Sequence, residues 1–97
     1  MRREDFVFCI GFEGSTAIVD GKLMRRHGSR TAVQLAEAGL FKQAINAALF
    51  DEDAAALGQI VALFNAKTGS GVQDAEELKR IFGVSGIPEG VKKVTVV

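Results

Sequence analysis

The hydrophobic positions of this 97-residue chain form strand-like stretches at both ends and helix-like stretches between them. Residues 5–12 are aromatic and β-branched with few polar side chains, which is typical of a strand buried on both faces. Glu13 and Gly14 then predict a turn, and residues 15–20 continue in strand-like composition. Residues 91–97 place a lysine on each face of a closing strand of valines and threonine, and this polar content is compatible with an edge strand. We therefore expect the two ends of the chain to share one sheet.

The segment that follows the first hairpin has two possible conformations. Asp20 and Gly21 form a strong signal for a two-residue hairpin turn, because Asp-Gly tolerates the positive φ that such a turn needs. Residues 22–26 are then either a short third strand or a first helical turn, and the pattern does not choose between them.

Four helices are predicted where apolar residues recur with a period near 3.6. They cover residues 31–38, 40–50, 54–67 and 74–83. Thr31 and Gln34 have the spacing of a capping box at the first helix, and Asp74 suits the N-cap of the last. Gly39 and Gly83 suit the left-handed position that ends a helix.

These elements predict a single α+β domain covering residues 1–97. A small antiparallel sheet, made of the N-terminal hairpin or meander and the C-terminal strand, would be covered on one face by about four short helices. An alternative places the two ends in separate sheets of a dimer, exchanged across a two-fold axis. The predicted core residues are Phe6, Phe8, Ile10, Ile18, Leu35, Ile45, Leu49, Leu57, Val61, Phe64, Leu78, Phe82 and Val94.

Composition narrows the range of partners. Hydrophobic residues make up 47% of the chain and charged residues 25%, which is the ordinary range of globular proteins. The 12 basic and 12 acidic residues cancel, which counts against a nucleic-acid partner, since such binding usually rests on a basic surplus. A chain of this size can form a core but not also a large active-site cavity.

The single cysteine, Cys9, permits no internal disulfide, which suits a reducing compartment. It lies in an apolar strand-like run, where we expect a buried and inert thiol. No stretch approaches the ~18 apolar residues of a membrane span. We expect a cytoplasmic protein that does not associate with membranes.

Residues that carry catalysis are scarce. The chain has one histidine, one cysteine and no tyrosine or tryptophan. His27 lies among arginines, where we expect a surface residue of a basic turn. No close-spaced His/Cys set suggests a metal site, and residues 51–53 lack the alternation of a calcium loop. The sequence thus predicts neither catalytic residues nor a metal or cofactor, and we expect no enzymatic activity.

The leading hypothesis is a small protein-interaction module, either a homodimer or a subunit of a larger assembly. The helical part of the chain is rich in alanine. Small side chains let helices approach closely, so the helices either pack tightly inside one chain or present a flat face to a protein partner.

A second hypothesis is a DNA-binding regulator, because residues 31–49 have the outline of a helix-turn-helix. Polar residues on the exposed face of its second helix would contact bases, and arginines ahead of it would contact phosphates. The base-contacting residues are Lys42, Gln43 and Asn46, and the phosphate-contacting residues are Arg25, Arg26 and Arg30. The zero net charge and the acids at residues 51–53 count against this hypothesis.

A third hypothesis is a small anion or phosphate ligand at residues 11–16. Gly11, Gly14, Ser15 and Thr16 combine two glycines with two hydroxyls directly after a strand. The lysine and spacing of a phosphate-binding P-loop are absent, and Glu13 would repel an anion.

Overall fold

The computed structural model describes all 97 residues and contains six helices and three strands. The helices are α1 (Arg3–Val7), α2 (Gly21–His27), α3 (Ala32–Glu37), α4 (Phe41–Phe50), α5 (Ala54–Thr68) and α6 (Ala75–Phe82). The strands are β1 (Cys9–Glu13), β2 (Thr16–Val19) and β3 (Lys93–Val96). The predicted α+β class is confirmed, with two more helices than the apolar pattern indicated.

Both ends of the chain join one sheet, whose strand order is β1-β2-β3. β1 and β2 form an antiparallel hairpin that turns at Gly14, where φ is +61°. β3 runs parallel to β2, with Thr16 opposite Lys93 and Val19 opposite Val96. The sheet is therefore mixed, and the expectation of a wholly antiparallel sheet was wrong. Five helices lie between β2 and β3, which is the long crossover that parallel pairing requires.

The first half of the predicted N-terminal strand is the helix α1. The Asp5 carboxylate accepts hydrogen bonds from the Arg2 backbone N–H at 3.2 Å and from the Arg2 guanidinium at 3.3 Å, which caps the helix. The hydrogen bond between the Arg2 guanidinium and the Asp5 carboxylate, together with the negative charge of Asp5, raises the pKa of Arg2 above its ordinary value. Phe6, Val7 and Phe8 are buried, and α1 packs on α4. Local capping and packing thus overcome the strand propensity of the aromatic and β-branched residues.

Residues 22–26 are helical, which settles the alternative that the sequence left open. The Asp20 side chain accepts a hydrogen bond from the Leu23 N–H at 3.1 Å, so Asp20 caps α2 instead of starting a hairpin turn. Gly21 lies where a Cβ atom would come within 2.7 Å of Val96 and 2.8 Å of the Val97 carbonyl oxygen. A glycine is required here because α2 begins against the end of β3.

The core lies among α3, α4 and α5, with α4 at its centre. Four residues of α4 have no exposed surface, namely Ala44, Ile45, Ala47 and Ala48. The alanines allow neighbouring helix backbones to approach closely. Phe41, Phe64 and Phe82 form an aromatic cluster with ring centroids 5.2–6.3 Å apart. Two of the predicted core residues lie outside the core: Ile10 is 54% exposed, and Ile18 is half-buried and does not pack against the core cluster.

The predicted helix ends agree with the structure wherever a local cap defines them. Thr31 and Gln34 form the expected capping box, and Asp74 accepts a hydrogen bond from the Glu77 N–H at 2.9 Å. Gly39 and Gly83 adopt positive φ values of 83° and 69°. None of the six helices combines the length and the apolar character that a membrane span requires.

Candidate functional site

A groove of about 210 Å³ runs beside the first strand. Its walls are residues 9–12 of β1 and the coil of residues 83–88, and Phe6, Lys42 and Asn46 complete the lining. We call it the β1 groove. The fold brings these distant parts of the sequence together because α1 packs on α4 and leads directly into β1, while α6 ends beside Phe41 at the aromatic cluster.

The β1 groove follows the edge of the strand. Four successive residues of β1 line the groove, and the β1–β2 ladder is irregular between Cys9 and Gly11, where the regular alternation of side chains is interrupted. The other edge of β1 is paired with β2, so the groove lies along the unpaired edge. On its far side, residues 85–88 make no backbone hydrogen bond with the rest of the chain. Both walls therefore offer backbone groups to a further strand.

Three large apolar side chains are exposed at this groove. The exposed fractions are 54% for Ile10, 50% for Phe12 and 47% for Ile87. The chain has only four other exposed large hydrophobic residues, so nearly half of them meet at one place. A concentration of exposed apolar side chains of this kind marks an interaction surface.

Asn46 has a structural role at the floor of the groove. It is 4% exposed, and its Nδ2 donates to the carbonyl oxygens of Phe6 at 3.4 Å and Val7 at 3.3 Å. The last carbonyls of a helix lack partners within that helix, and Asn46 supplies a donor for those of α1. The expectation that Asn46 lies on the exposed face of α4 was therefore wrong, because α1 packs over this face.

Lys42 is the only charged side chain that lines the β1 groove. It is half-buried and lies one helical turn before Asn46. No ion pair or hydrogen bond within the chain engages its ammonium group. A free ammonium group beside exposed apolar side chains favours a ligand that is mostly apolar and carries one carboxylate.

Cys9 and Gly11 also belong to the groove. Cys9 is half-buried rather than buried as predicted, and its Sγ donates a weak hydrogen bond to the Gly11 carbonyl oxygen at 3.2 Å. A Cβ atom at Gly11 would meet no other atom within 4 Å, so the space beside this residue is open. The structure thus brings Gly11, Lys42 and Asn46 together, although the sequence assigned Gly11 to a different hypothesis from the other two.

The arginines predicted to contact phosphates are exposed but lie away from this groove. Arg25 and Arg26 are in the last turn of α2, and Arg30 follows it. Arg25 shares a surface cavity with Glu4, and Arg30 shares one with Glu37. These arginines share no cavity with Lys42, and the half-buried Gln43 lines no cavity.

The residues of the anion hypothesis do not form one loop around a ligand. Gly14 and Ser15 make the hairpin turn, whereas Thr16 begins β2. The Ser15 carbonyl oxygen accepts from the N–H groups of Lys92 at 2.8 Å and Lys93 at 3.3 Å, which joins the turn to the start of β3. Gly14, Ser15 and Thr16 line no cavity, and Gly11 lies apart from them in the β1 groove.

Titratable groups do not gather elsewhere in the molecule. No group of three or more His, Cys, Asp or Glu side chains is placed to hold a metal ion. Asp5 and Asn46 are the buried polar residues, and both are engaged in the hydrogen bonds described above. The Nδ1 atom of His27 is buried without a partner, but His27 lines none of the cavities.

One feature of the sequence indicates the apolar strand edge at the groove. β1 carries no lysine, whereas the C-terminal strand begins with Lys92 and Lys93. An apolar strand without lysine suits either a covered position or an edge that binds another chain. No family model, curated protein or solved structure matches this chain, so its interpretation rests on this geometry.

Proposed function

We propose that this chain is a protein-interaction module that binds an extended polypeptide segment along the free edge of β1. The observation that carries the proposal is the β1 groove, where an unpaired strand edge coincides with the exposed side chains of Ile10, Phe12 and Ile87. The proposal assigns the protein no catalytic role.

Strand addition uses the two kinds of group that this groove presents. The backbone of β1 supplies hydrogen bonds that hold an added strand in place, and pockets for alternate side chains supply specificity. Residues 85–88 supply further backbone donors and acceptors on the opposite side. Covering the exposed apolar side chains removes apolar surface from water, which contributes about 25 cal/mol per Å² before the cost of ordering the segment.

The same surface would suit the reducing cytoplasm. Cys9 is the only cysteine and its thiol lies half-buried in the groove, where a bound strand would cover it. The DNA-binding hypothesis has no comparable support, because Asn46 is engaged with α1 and the arginines lie on other surfaces.

A selection from random heptapeptides displayed on phage tests this proposal. We expect selected peptides to alternate apolar residues and to shift the amide resonances of residues 9–12 and 83–88 of the labelled protein. Ile10→Lys combined with Phe12→Lys should abolish their binding, because it places two charges on the strand edge. Thr95→Lys, an exposed position at the opposite edge of the sheet, is the matched control and should leave binding unchanged.

Peptides that bind the Ile10→Lys, Phe12→Lys double variant as tightly as the original chain would refute the proposal. So would amide shifts that lie outside the groove. Both variants replace exposed residues, so far-ultraviolet circular dichroism should show unchanged helix content.

A further inference from the structure

We infer that the segment bound in the β1 groove is the C-terminal end of a partner protein, with apolar last residues and a free α-carboxylate that pairs with Lys42. This assignment rests on the proposed function, since it names the occupant of the same groove. Four features of the groove support it: its width, its length, the ammonium group of Lys42 and the free backbone N–H groups of residues 85–87.

The β1 groove has room for one extended chain and not for the edge of a folded sheet. The free edge of β1 forms one wall, and the coil of residues 83–88 forms the opposite wall. Neighbouring strands lie about 4.8 Å apart, so a sheet that paired with β1 would place its second strand where this coil lies. The occupant is therefore a linear segment without strands beside it. Chain ends are commonly of this kind, because the last residues of a domain are seldom held by its fold.

The groove is also short. Residues 9–12 line it, and four strand residues span about 13 Å. Its volume of about 210 Å³ lies below the roughly 300–1,000 Å³ of pockets that hold drug-sized ligands, so only a few groups can enter it. An internal segment has to leave such a groove at both ends, whereas a chain end has to enter at only one. A short groove therefore favours a terminus.

Lys42 is placed where an anion would be favourable. It is the second residue of α4, whose first turn carries no acidic residue and whose N-cap, Leu40, makes no side-chain cap. The N-terminal end of a helix dipole is positive, so a lysine in this turn is unfavourable for the helix itself. No acidic side chain lines the groove, and Lys42 makes no ion pair within the chain. A bound carboxylate would offset the charge of Lys42 and that of the helix end.

The coil of residues 83–88 supplies the backbone donors that a terminal carboxylate uses. The N–H groups of Ser85, Gly86 and Ile87 make no hydrogen bond with another backbone group. The backbone of an added strand lies between β1 and this coil, and its side chains point out of that plane. A terminal α-carboxylate continues the backbone and so meets these N–H groups, whereas the carboxylate of an internal Asp or Glu points away from them. Free N–H groups of this kind capture C-terminal carboxylates in other recognition modules.

The last side chains of the bound end are apolar. Ile10, Phe12 and Ile87 are about half exposed at the groove, and an apolar residue would cover them. A basic final residue would bring a like charge to Lys42. We therefore expect chain ends that finish in aliphatic or aromatic residues to bind, and chain ends that finish in Lys or Arg not to bind.

Two arrays of random tetrapeptides that differ only in the C-terminal group test this assignment. One array presents free carboxylates, the other presents carboxamides, and both are probed with the labelled full chain. We expect binders in the free-carboxylate array alone, with apolar final residues. By isothermal titration calorimetry the best of them should bind at least about tenfold more tightly than its own carboxamide, because the carboxylate gains charge-assisted hydrogen bonds.

A matched pair of lysine variants shows whether Lys42 reads the carboxylate. Lys42→Met removes the ammonium group and keeps an apolar stem, so the preference for carboxylate over carboxamide should fall to within about twofold. The midpoint of urea denaturation should stay the same or rise, since the lysine is unfavourable for α4. Lys22→Met is the control, because Lys22 is also the second residue of its helix and lines no cavity. It should leave the preference unchanged.

Three results would overturn the inference: no binders among the free carboxylates, carboxamides that bind as tightly, or a Lys42→Met variant that keeps the preference. Carboxamide binders that carry an internal Asp or Glu would likewise assign Lys42 to a side-chain carboxylate instead. The phage-displayed heptapeptides have C-termini joined to the coat protein, so their binding at the groove would still support the proposed function in each of these cases.

Discussion

The two outer edges of the sheet differ in what they expose to solvent. β1 presents Ile10 and Phe12 and has no lysine, whereas Lys93 begins β3 and Lys92 precedes it. Lysines at a strand edge discourage pairing with other chains, and apolar side chains promote it. One small sheet thus has one edge with lysines and one apolar edge, and this contrast is the basis for the proposal that β1 binds another polypeptide segment.

The two edges also differ in how they are fastened. β1 follows directly from the buried Phe8, and Asn46 holds the preceding carbonyls of α1. β3 is held by its parallel ladder with β2 and by the bond from the Gly21 N–H to the Val97 carbonyl oxygen at 3.0 Å. β1 is therefore anchored to the helical core through Phe8 and Asn46. Substitutions can remove these anchoring contacts without changing the exposed side chains of the strand.

The largest expected effect separates Phe8, which directly precedes β1, from Phe12, which lies within it. Phe8→Ala should lower the free energy of unfolding by about 3–5 kcal/mol, because Phe8 is 1% exposed and its loss leaves a cavity. Phe12→Ala should lower it by less than about 1 kcal/mol in the monomer, because half of Phe12 is already in water. Urea denaturation at low protein concentration measures both. Equal losses of unfolding free energy in the two variants would contradict the difference between a buried residue that anchors β1 and an exposed residue within it.

Removing the anchor at the floor of the groove should have an intermediate effect. Asn46→Ala leaves the Phe6 and Val7 carbonyls without their donor and should cost about 1–3 kcal/mol of unfolding free energy. Gln43→Ala on the same helix is the control and should change stability by less than about 0.5 kcal/mol. Faster amide hydrogen exchange in α1 and β1 of the Asn46 variant would locate the loss. An unchanged midpoint of urea denaturation would show that the hydrogen bonds from Asn46 to the Phe6 and Val7 carbonyls do not hold β1 in place.

Opening the protected edge should increase association by a smaller amount. Lys92→Val combined with Lys93→Val removes two charges from the start of β3, and we expect association of the chain to become about tenfold stronger, or about 1.4 kcal/mol. Light scattering over a concentration series measures the change. Lys22→Val, on α2, controls for the loss of surface charge. If both variants associate equally, the effect comes from the loss of surface charge and not from the position of the lysines at the sheet edge.

The smallest effect concerns the outer side of α1. Arg3 contacts Asp51 through two hydrogen bonds of 2.9 and 3.1 Å, but both side chains are partly exposed. Arg3→Ala should therefore cost only about 0.2–1 kcal/mol, and the cost should shrink as salt is raised. Arg26→Ala, an exposed arginine without an ion pair, should cost less at low salt. A loss that does not respond to salt would point to packing rather than charge.

The parts of the fold that the sequence predicted correctly are those defined by local residues. A capping box at Thr31 and Gln34 and a glycine at position 83 act within one helical turn, so their spacing alone specifies helix ends. Residues 5–7 were assigned to a strand because their composition favours one. The cap formed by Asp5 and the packing against α4 decide for a helix instead.

The first error at the candidate site follows from that misassigned helix, and the second follows from the assumed position of β1 in the sheet. Asn46 was placed on the exposed face of α4 because nothing in the apolar pattern indicated that α1 covers it. Ile10 was assigned to the core because an apolar strand is usually covered on both faces. Whether a strand is covered depends on its place in the sheet, which the periodicity of one segment does not contain. Likewise, β3 pairs in parallel because of a crossover that spans most of the chain.

The parallel pairing of β2 with β3 also bears on the order of folding. Thr16 and Lys93 are separated by almost the whole chain, so closing this ladder costs more chain entropy than forming the β1–β2 hairpin. We expect β3 to dock late and to open first in partial unfolding, which would expose the inner edge of β2. The lysines at the start of β3 then protect a sheet whose least stable strand is also one of its two edge strands.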